Sequence, residues 1–181
     1  MFARAAFCLM LLLAVLMTAG AAAGQTISAL KAHDINRPIS WSAERSEILG
    51  REDLALLIGN VRVEQGDLLL TSDRLHIFYV LDEAAGNPDV QRLDATGNVV
   101  LESPSETAHA AWGVYDIENR LITLGGGVRL ERAGSNLSGE RLEIDLRNGV
   151  AKIDGGPVDG DSGRVEGEFA LPGDSDGGSL P

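Results

Sequence analysis

The side chains able to do chemistry are few and scattered in this sequence. Histidines stand at positions 33, 76 and 109. None has a second ligand at metal spacing, so His33, His76 and His109 read as surface residues. Asp159-Gly-Asp161-Ser-Gly163 resembles the start of a calcium loop, but it lacks the oxygen donor at the fifth position and the spaced Glu. Asn136-Leu-Ser138 fits a glycosylation sequon. Asp73 and Glu140 each open an apolar stretch, where solvated charge is the simple account. No Gly-x-Ser-x-Gly, P-loop or Gly-x-Gly-x-x-Gly occurs. Cys8 is the one cysteine, which excludes an internal disulfide and a multi-thiolate metal site. The reading is of a protein that is not an enzyme, with no catalytic residue, no metal and no cofactor.

Charge narrows the partners. The chain has 181 residues, with 15 basic against 27 acidic side chains and a net charge of −12. Phosphate backbones and anionic membrane surfaces both need a basic face, so nucleic acid is excluded as a partner. An anionic ligand would have to be held by its apolar part. The N-terminus reads as a leader: Arg4, an apolar run from Phe7 to Met17, then Ala21-x-Ala23. That is the anatomy of a secretory signal peptide over 1–23, cleaved near Ala23. The alternative is an uncleaved anchor, because 5–23 approaches the roughly 20 residues needed to span a bilayer. Cys8 lies inside the apolar run and not at its end, so a lipoprotein is not expected.

The remainder alternates with the period of strands. A lead occupies 24–37. After Pro38, Ile39, Trp41 and Ala43 share one parity against Ser40, Ser42 and Glu44. Residues 50–53 turn. From 54 to 65, Leu57, Val61 and Val63 oppose Asn60, Arg62 and Glu64, with Gly59 reading as a bulge. Two further stretches, 68–72 and 74–80, set Leu75, Ile77 and Tyr79 against His76 and Phe78. Turn signals recur every 8 to 12 residues onward, which argues for an all-β fold. "HAAWG", 109–113, could form a helical turn at most. Residues 164–171 can make a last strand, and the Gly- and Asp-rich tail 172–181 is expected to be disordered.

The strand pattern repeats. Val61, Val99 and Val128 each follow a glycine by two positions, and Leu75, Val114 and Leu142 return 14 or 15 residues later. Such self-similarity builds a stack of strand units around one apolar seam. A closed barrel is the rival, since closure removes free edges. An open stack leaves an edge at each end, able to pair with a strand of another chain or with a second copy head-to-tail.

"NRPISWSAERSEI", "GNVRVEQGDLLLTSDRL", "ATGNVVLE" and "GGVRLERAGSNLSGERLEIDLRNGVAKI" together resemble the OstA-like domain family, over about residues 34–171. The resemblance implies a twisted, slightly open antiparallel β-jellyroll over 38–171. It also implies a periplasmic bridge protein that carries lipopolysaccharide from the inner to the outer membrane. The partners it implies are a membrane-anchored OstA-like sibling (LptC) at the N-terminal edge and the outer-membrane translocon (LptD) at the C-terminal edge, with Val165 and Phe169 on that second edge. The sequon is then a chance match, the family being bacterial. The Gly- and Asp-rich tail carries no family motif, and Gly113 falls where an inward aliphatic is expected.

The chemistry such a carrier needs is aliphatic. Burial stabilises by about 0.8 kcal/mol per methylene, so an enclosed chain of ~12 carbons gains on the order of 10 kcal/mol. The expected lining runs through Ile39 and Trp41, then Leu57, Val61 and Val63, then Leu75, Ile77 and Tyr79. It continues with Val99 and Leu101, Tyr115 and Ile117, Val128 and Leu130, and Leu142 and Ile144. Each could instead be ordinary core. Tyr79, Tyr115 and Trp41 are expected at the wet mouth because each carries a polar atom. Two other roles fit the same residues: an anchored LptC-like sibling, or a secreted sugar-binding or structural β-sandwich.

Overall fold

Alternation with few interruptions makes long strands, and a computed structural model shows them. It describes residues 33–34, 36–81, 88–156 and 163–169. The strands are β1 (Ile39–Ser42), β2 (Arg45–Leu49), β3 (Leu54–Gln65), β4 (Leu68–Leu81) and β5 (Pro88–Glu102), followed by β6 (Glu106–Asp116), β7 (Leu121–Arg132), β8 (Ser135–Asp145), β9 (Val150–Asp154) and β10 (Glu166–Glu168). All pair antiparallel in one open sheet of order β1-β3-β4-β5-β6-β7-β8-β10, with β2 also on β3 and β9 also on β8. The expected long strand 54–65 is β3. The two stretches either side of Asp73 are one strand, β4, and "HAAWG" lies within β6 and forms no helical turn. Backbone pairing on both sides of β6 overrides the weak local preference of that segment. The leader, residues 82–87, Asp159 to Asp161 and the tail lie outside the described residues.

A row of irregularities shapes the sheet, apart from one more shift between Phe78 and Tyr79 near the end of β4. Register shifts fall between Ile58 and Val61, Thr71 and Arg74, Thr96 and Val99, His109 and Trp112, and Gly125 and Val128. At each, the extra residue sits in β3, β5 or β7. Those positions are the repeated dipeptides Gly59-Asn60, Gly97-Asn98 and Gly126-Gly127, and all six residues have positive φ. The left-handed region favours glycine and tolerates asparagine. A bulge bends its strand and increases its twist. Bulges aligned on alternate strands therefore crease the whole sheet along one line.

Carboxylates pin two of the three bulges. Asn60 Nδ2 donates to Glu44, and the Glu44 backbone N–H donates to the Gly59 carbonyl at 3.0 Å. Asn98 Nδ2 donates to Asp73 Oδ2 at 2.9 Å. Asp73 is thus a structural partner of the next strand as well as a solvated charge. At the third bulge, Trp112 lies across Gly125 and Gly126, where a Cβ would collide with its ring or with Ala111.

The crease divides each long strand in two. One half-sheet holds β2, residues 54–58, 74–81, 88–96, 112–116, 121–125 and 141–145, and β9. The other holds β1, residues 61–65, 68–72, 99–102, 106–110, 128–132 and 135–138, and β10. β1 and β2 thus cover the two halves of β3, and β9 and β10 cover the two halves of β8. Opposite the crease, two turns share the pattern Asp-x-x-Asn. Asp116 accepts from Asn119 N and Nδ2 at 2.8 and 2.9 Å; Asp145 accepts from Asn148 N and Nδ2 at 3.2 and 2.6 Å.

Gly97→Ala should cost about 2–3 kcal/mol: left-handed strain of ~1–2 kcal/mol plus about 1 kcal/mol from the displaced Asp73–Asn98 bond. Gly127→Ala, with nothing within 4 Å of the new methyl, should cost only the strain, ~1–2 kcal/mol. Denaturant unfolding separates the two, and a larger loss at Gly127 would contradict the pinned crease.

The Asn119 side-chain amide and then its backbone N–H hold the Asp116 carboxyl below its ordinary value of 3.8. At Asp145 desolvation, the largest single effect, pushes upward. It is outweighed by the combined N–H groups of Asn148 and Arg147, the Asn148 amide and the Arg147 charge. A carboxyl depressed on folding contributes stability that is present above its unfolded value and lost as pH falls through its folded value. Both turns should therefore hold from pH 7 to 5 and loosen below 3.8. Carbon-detected carboxyl titration with the Asn119 and Asn148 amide signals checks this; loosening that begins above pH 5 would contradict it.

Candidate functional site

The inner face is built row by row. Across the first half-sheet, Leu57, Leu75, Ala95, Gly113, Leu124 and Leu142 stand in register, and the next row holds Ala55, Ile77, Leu93, Tyr115, Ile122 and Ile144. Across the second, Val63, Leu70, Leu101, Ala108, Leu130 and Leu137 do the same. Directly opposed residues share a face, so each row is a continuous apolar stripe. The stripes of the two half-sheets face one another across a cavity of about 30 Å³. Ile39, Val63, Gln65, Leu68, Leu70 and Leu101 line it from one half, and Leu93, Gly113, Tyr115, Ile122 and Leu124 from the other. The site is a groove, closed at the crease and narrow at its centre.

Most of the expected lining is sealed in this conformation. Leu57, Val61, Val63, Leu75, Ile77, Val99, Leu101, Tyr115, Val128, Leu130, Leu142 and Ile144 are buried. Ile39 and Ile117 are half-buried against the core, and Tyr79 is half-buried at the margin. Trp41 pairs with Val63 and so shares the inner face, yet it is 49% exposed because β1 is an edge strand. Trp41 therefore sits at an open end of the groove, and Tyr79 near its margin. The expected wet setting of Tyr115 is corrected. It is 7% exposed, and its hydroxyl is satisfied inside by Gln65 Oε1 at 3.2 Å rather than by water at a rim. Burial pushes that hydroxyl above its ordinary pKa, against a smaller downward pull from Arg120.

Several inner-face residues escaped the sequence reading. Leu68, Leu93, Ala95, Ala108, Ile122 and Leu124 are buried as deeply as those expected. Alternation marks Leu93 and Ala95 against Arg92 and Asp94, so a signal was present. The repeat also carries a correction: the inward partner of Leu75 and Leu142 is Gly113, not Val114, because register joins Leu75 to Ala95 and Ala95 to Gly113. The expected thin spot at Gly113 is partly filled by Leu124, whose Cδ2 lies 2.8 Å from where a Cβ would stand.

Gln65 is the unexpected polar member, 5% exposed on the apolar face. Besides the Tyr115 hydroxyl, its Oε1 lies 3.2 Å from His33 Nε2, and its Nε2 donates to the Arg37 carbonyl at 3.1 Å. Two more buried polar side chains share this face: Ser72, whose hydroxyl donates to the Arg74 carbonyl at 3.0 Å, and Glu106, with Arg132 Nη1 at 3.3 Å. On the outer face, charges pair along single strands: Arg62 with Glu64, Arg92 with Asp94, and Arg141 with Glu143, at 2.7–2.8 Å. Each is partly exposed and contributes under ~1 kcal/mol. Arg92 also lies over the Phe78 ring, 4.4 Å from its centroid. Among the described residues no group of three or more His, Cys, Asp or Glu is placed to hold a metal ion.

The edges carry the remaining apolar surface. β2 is exposed throughout, and Ile48, in register with the inward Ala55, is 74% exposed. At the other end of the strand order, Gly167 of β10 pairs with Leu137. The flanking Val165 and Phe169 are 43% and 68% exposed. Inner-face apolar side chains are thus covered at the centre and uncovered at both ends.

The comparisons agree with this architecture. Residues 42–150 match the family described as LptA/(LptD N-terminal domain) LPS transport protein. An uncharacterized protein of Rhizobium meliloti is 29% identical over 123 residues, covering 66% of this chain and 66% of that protein. The LPS-assembly protein LptD of Thiobacillus denitrificans is 28% identical over 131 residues, 68% of this chain but 17% of its own length. The crystal structure of LptH, described as the LptA-homologous periplasmic component of the lipopolysaccharide transport device of Pseudomonas aeruginosa, superposes with a TM-score of 0.65 at 17% identity. It covers 77% of this chain and 99% of LptH, which places both in one β-jellyroll fold. With more than half of its length matched, this chain belongs to the LptA/LptD N-terminal domain family of lipopolysaccharide transport proteins.

Proposed function

We propose that the protein is a periplasmic bridge that carries lipopolysaccharide from the inner to the outer membrane by shielding its acyl chains in the apolar groove. The observation that carries this reading is the pair of facing apolar half-sheets whose stripes run out uncovered at both ends. Hydrocarbon is the ligand such a surface suits, gaining about 0.8 kcal/mol per buried methylene. The cavity of about 30 Å³ offers about one water-sized space, too little for an acyl chain. Admission of a chain requires the two half-sheets to part. The crease permits this, because it joins them along one line only. The acidic surface repels free anions and anionic bilayers, which leaves the acyl chains as the handle for an anionic glycolipid.

The two ends suit strand addition. β1 and β2 present one unpaired edge, read as the side that meets a membrane-anchored sibling of LptC type. β9 and β10 present the other, read as the side that meets an outer-membrane LptD, or a second copy head-to-tail.

Photo-crosslinking probes at Val63 and Ile117 should be labelled by lipopolysaccharide, with an outward probe at Arg62 unlabelled. Labelling by polysaccharide alone, or most strongly at Arg62, would overturn the carrier reading in favour of a sugar-binding β-sandwich. Stability should separate core from mouth. Leu75→Ala should cost about 2–5 kcal/mol on unfolding and Trp41→Ala under ~1 kcal/mol, the latter reducing lipid labelling instead. A proline at Val165 or Phe169 should weaken docking to the outer-membrane partner in a pull-down while the melting temperature holds; undiminished docking would contradict that edge.

A further inference from the structure

Gln65 and Tyr115 belong to opposite half-sheets, and both lie at the margin farthest from the crease. Gln65 is the last residue of β3, and Tyr115 is the penultimate residue of β6. Their hydrogen bond at 3.2 Å therefore crosses the mouth of the folded sheet, not its hinge. The same amide also takes His33 and the Arg37 carbonyl, drawing the lead segment against the margin. The Arg37 and His33 side chains lie beside Gly66, on the turn that follows Gln65. Three separate parts of the chain thus meet at one amide that lines the cavity.

We infer that Gln65 and Tyr115 form a polar clasp that holds the two half-sheets together over the groove, and that a hydrocarbon guest enters only when this clasp opens. The inference rests on the carrier reading and adds to it a control point. A polar pair has a use here that an apolar pair lacks. Apolar contacts across the mouth would favour the collapsed state over its whole area, whereas one directional hydrogen bond is lost over a small displacement. Once parted, the Tyr115 hydroxyl and the Gln65 amide can bond water or an ester or amide carbonyl of the guest, so opening leaves no buried polar atom without a partner. The clasp therefore slows admission and opposes binding by what it adds to the closed state.

The test uses the full chain with Cys8→Ser and both Gln65→Cys and Tyr115→Cys. Two long side chains that meet at their tips hold their backbones beyond disulfide reach, so a short bis-maleimide supplies the bridge. The probe is fluorescently labelled lipid A. The unbridged variant should bind it, and the bridged variant should lose binding at least tenfold. Equal binding with and without the bridge would overturn the clasp and leave the carrier reading intact. Failure of the unaltered protein to bind the probe would overturn both. Tyr115→Phe keeps the ring and removes only the hydroxyl. It should speed association and tighten binding, each by about fivefold, the factor one net hydrogen bond is worth, because that bond is made in the closed state alone. Unchanged association with faster dissociation would assign Tyr115 an ordinary lining role and contradict the inference.

Discussion

The structure depends on one constraint: a sheet with a largely apolar face must cover that face, and this sheet covers it by folding onto itself. Strands of 11 to 15 residues are long enough to supply two faces from one pass of the chain. The crease makes that possible. Each odd strand from β3 to β7 inserts a left-handed pair at the same level, so neighbouring strands bend together and keep their hydrogen bonds on either side. Without the aligned bulges, the inward row through Leu57, Leu75 and Leu124 would have no opposing surface of its own.

Folding a sheet in this way leaves its ends unfinished. A closed barrel would pair its first and last strands; here β1 and β2 lie at one end and β9 and β10 at the other. Central residues such as Leu75 and Val99 are consumed by contact with the opposite half, while Trp41, Ile48 and Phe169 are not. The same apolar face thus acts as core in the middle and as available surface at the ends. Under the proposed carrier role, stability and a lipid path would draw on one set of side chains, and Gln65 and Tyr115 lie at the margin farthest from the crease.

Much of this was legible in the sequence because strand periodicity is strict. Leu57, Val61 and Val63 against Asn60, Arg62 and Glu64 fixed both the strand and its inner face. Gly59 was legible as a bulge, whereas Gly97-Asn98 and Gly126-Gly127, the latter inside β7 and not a turn, emerge as bulges only from inter-strand register. What could not be read was pairwise. That Gly113, not Val114, matches Leu75 follows from inter-strand register, which a bulge on the neighbouring strand resets. That Trp41 is exposed while its partner Val63 is buried depends on which strand is last in the sheet. Tyr115 carries a polar atom, which argued for a rim, but its partner lies fifty positions away on the opposite half-sheet. β2 was missed because its residues are exposed on both faces and show no amphipathic contrast.

The central claim is that the inner face yields to a hydrocarbon guest. Methyl-resolved NMR on the folded chain, titrated with an acyl-chain ligand such as lipid A, reads it directly. Intermolecular contacts should appear at the methyls of Val63, Leu101 and Leu124, which face the groove, and should be absent at Leu69 and Val100, whose register places them on the outer face. Contacts confined to Leu69 and Val100, or inner methyls unmoved at saturation, would mean that the facing stripes are only a core.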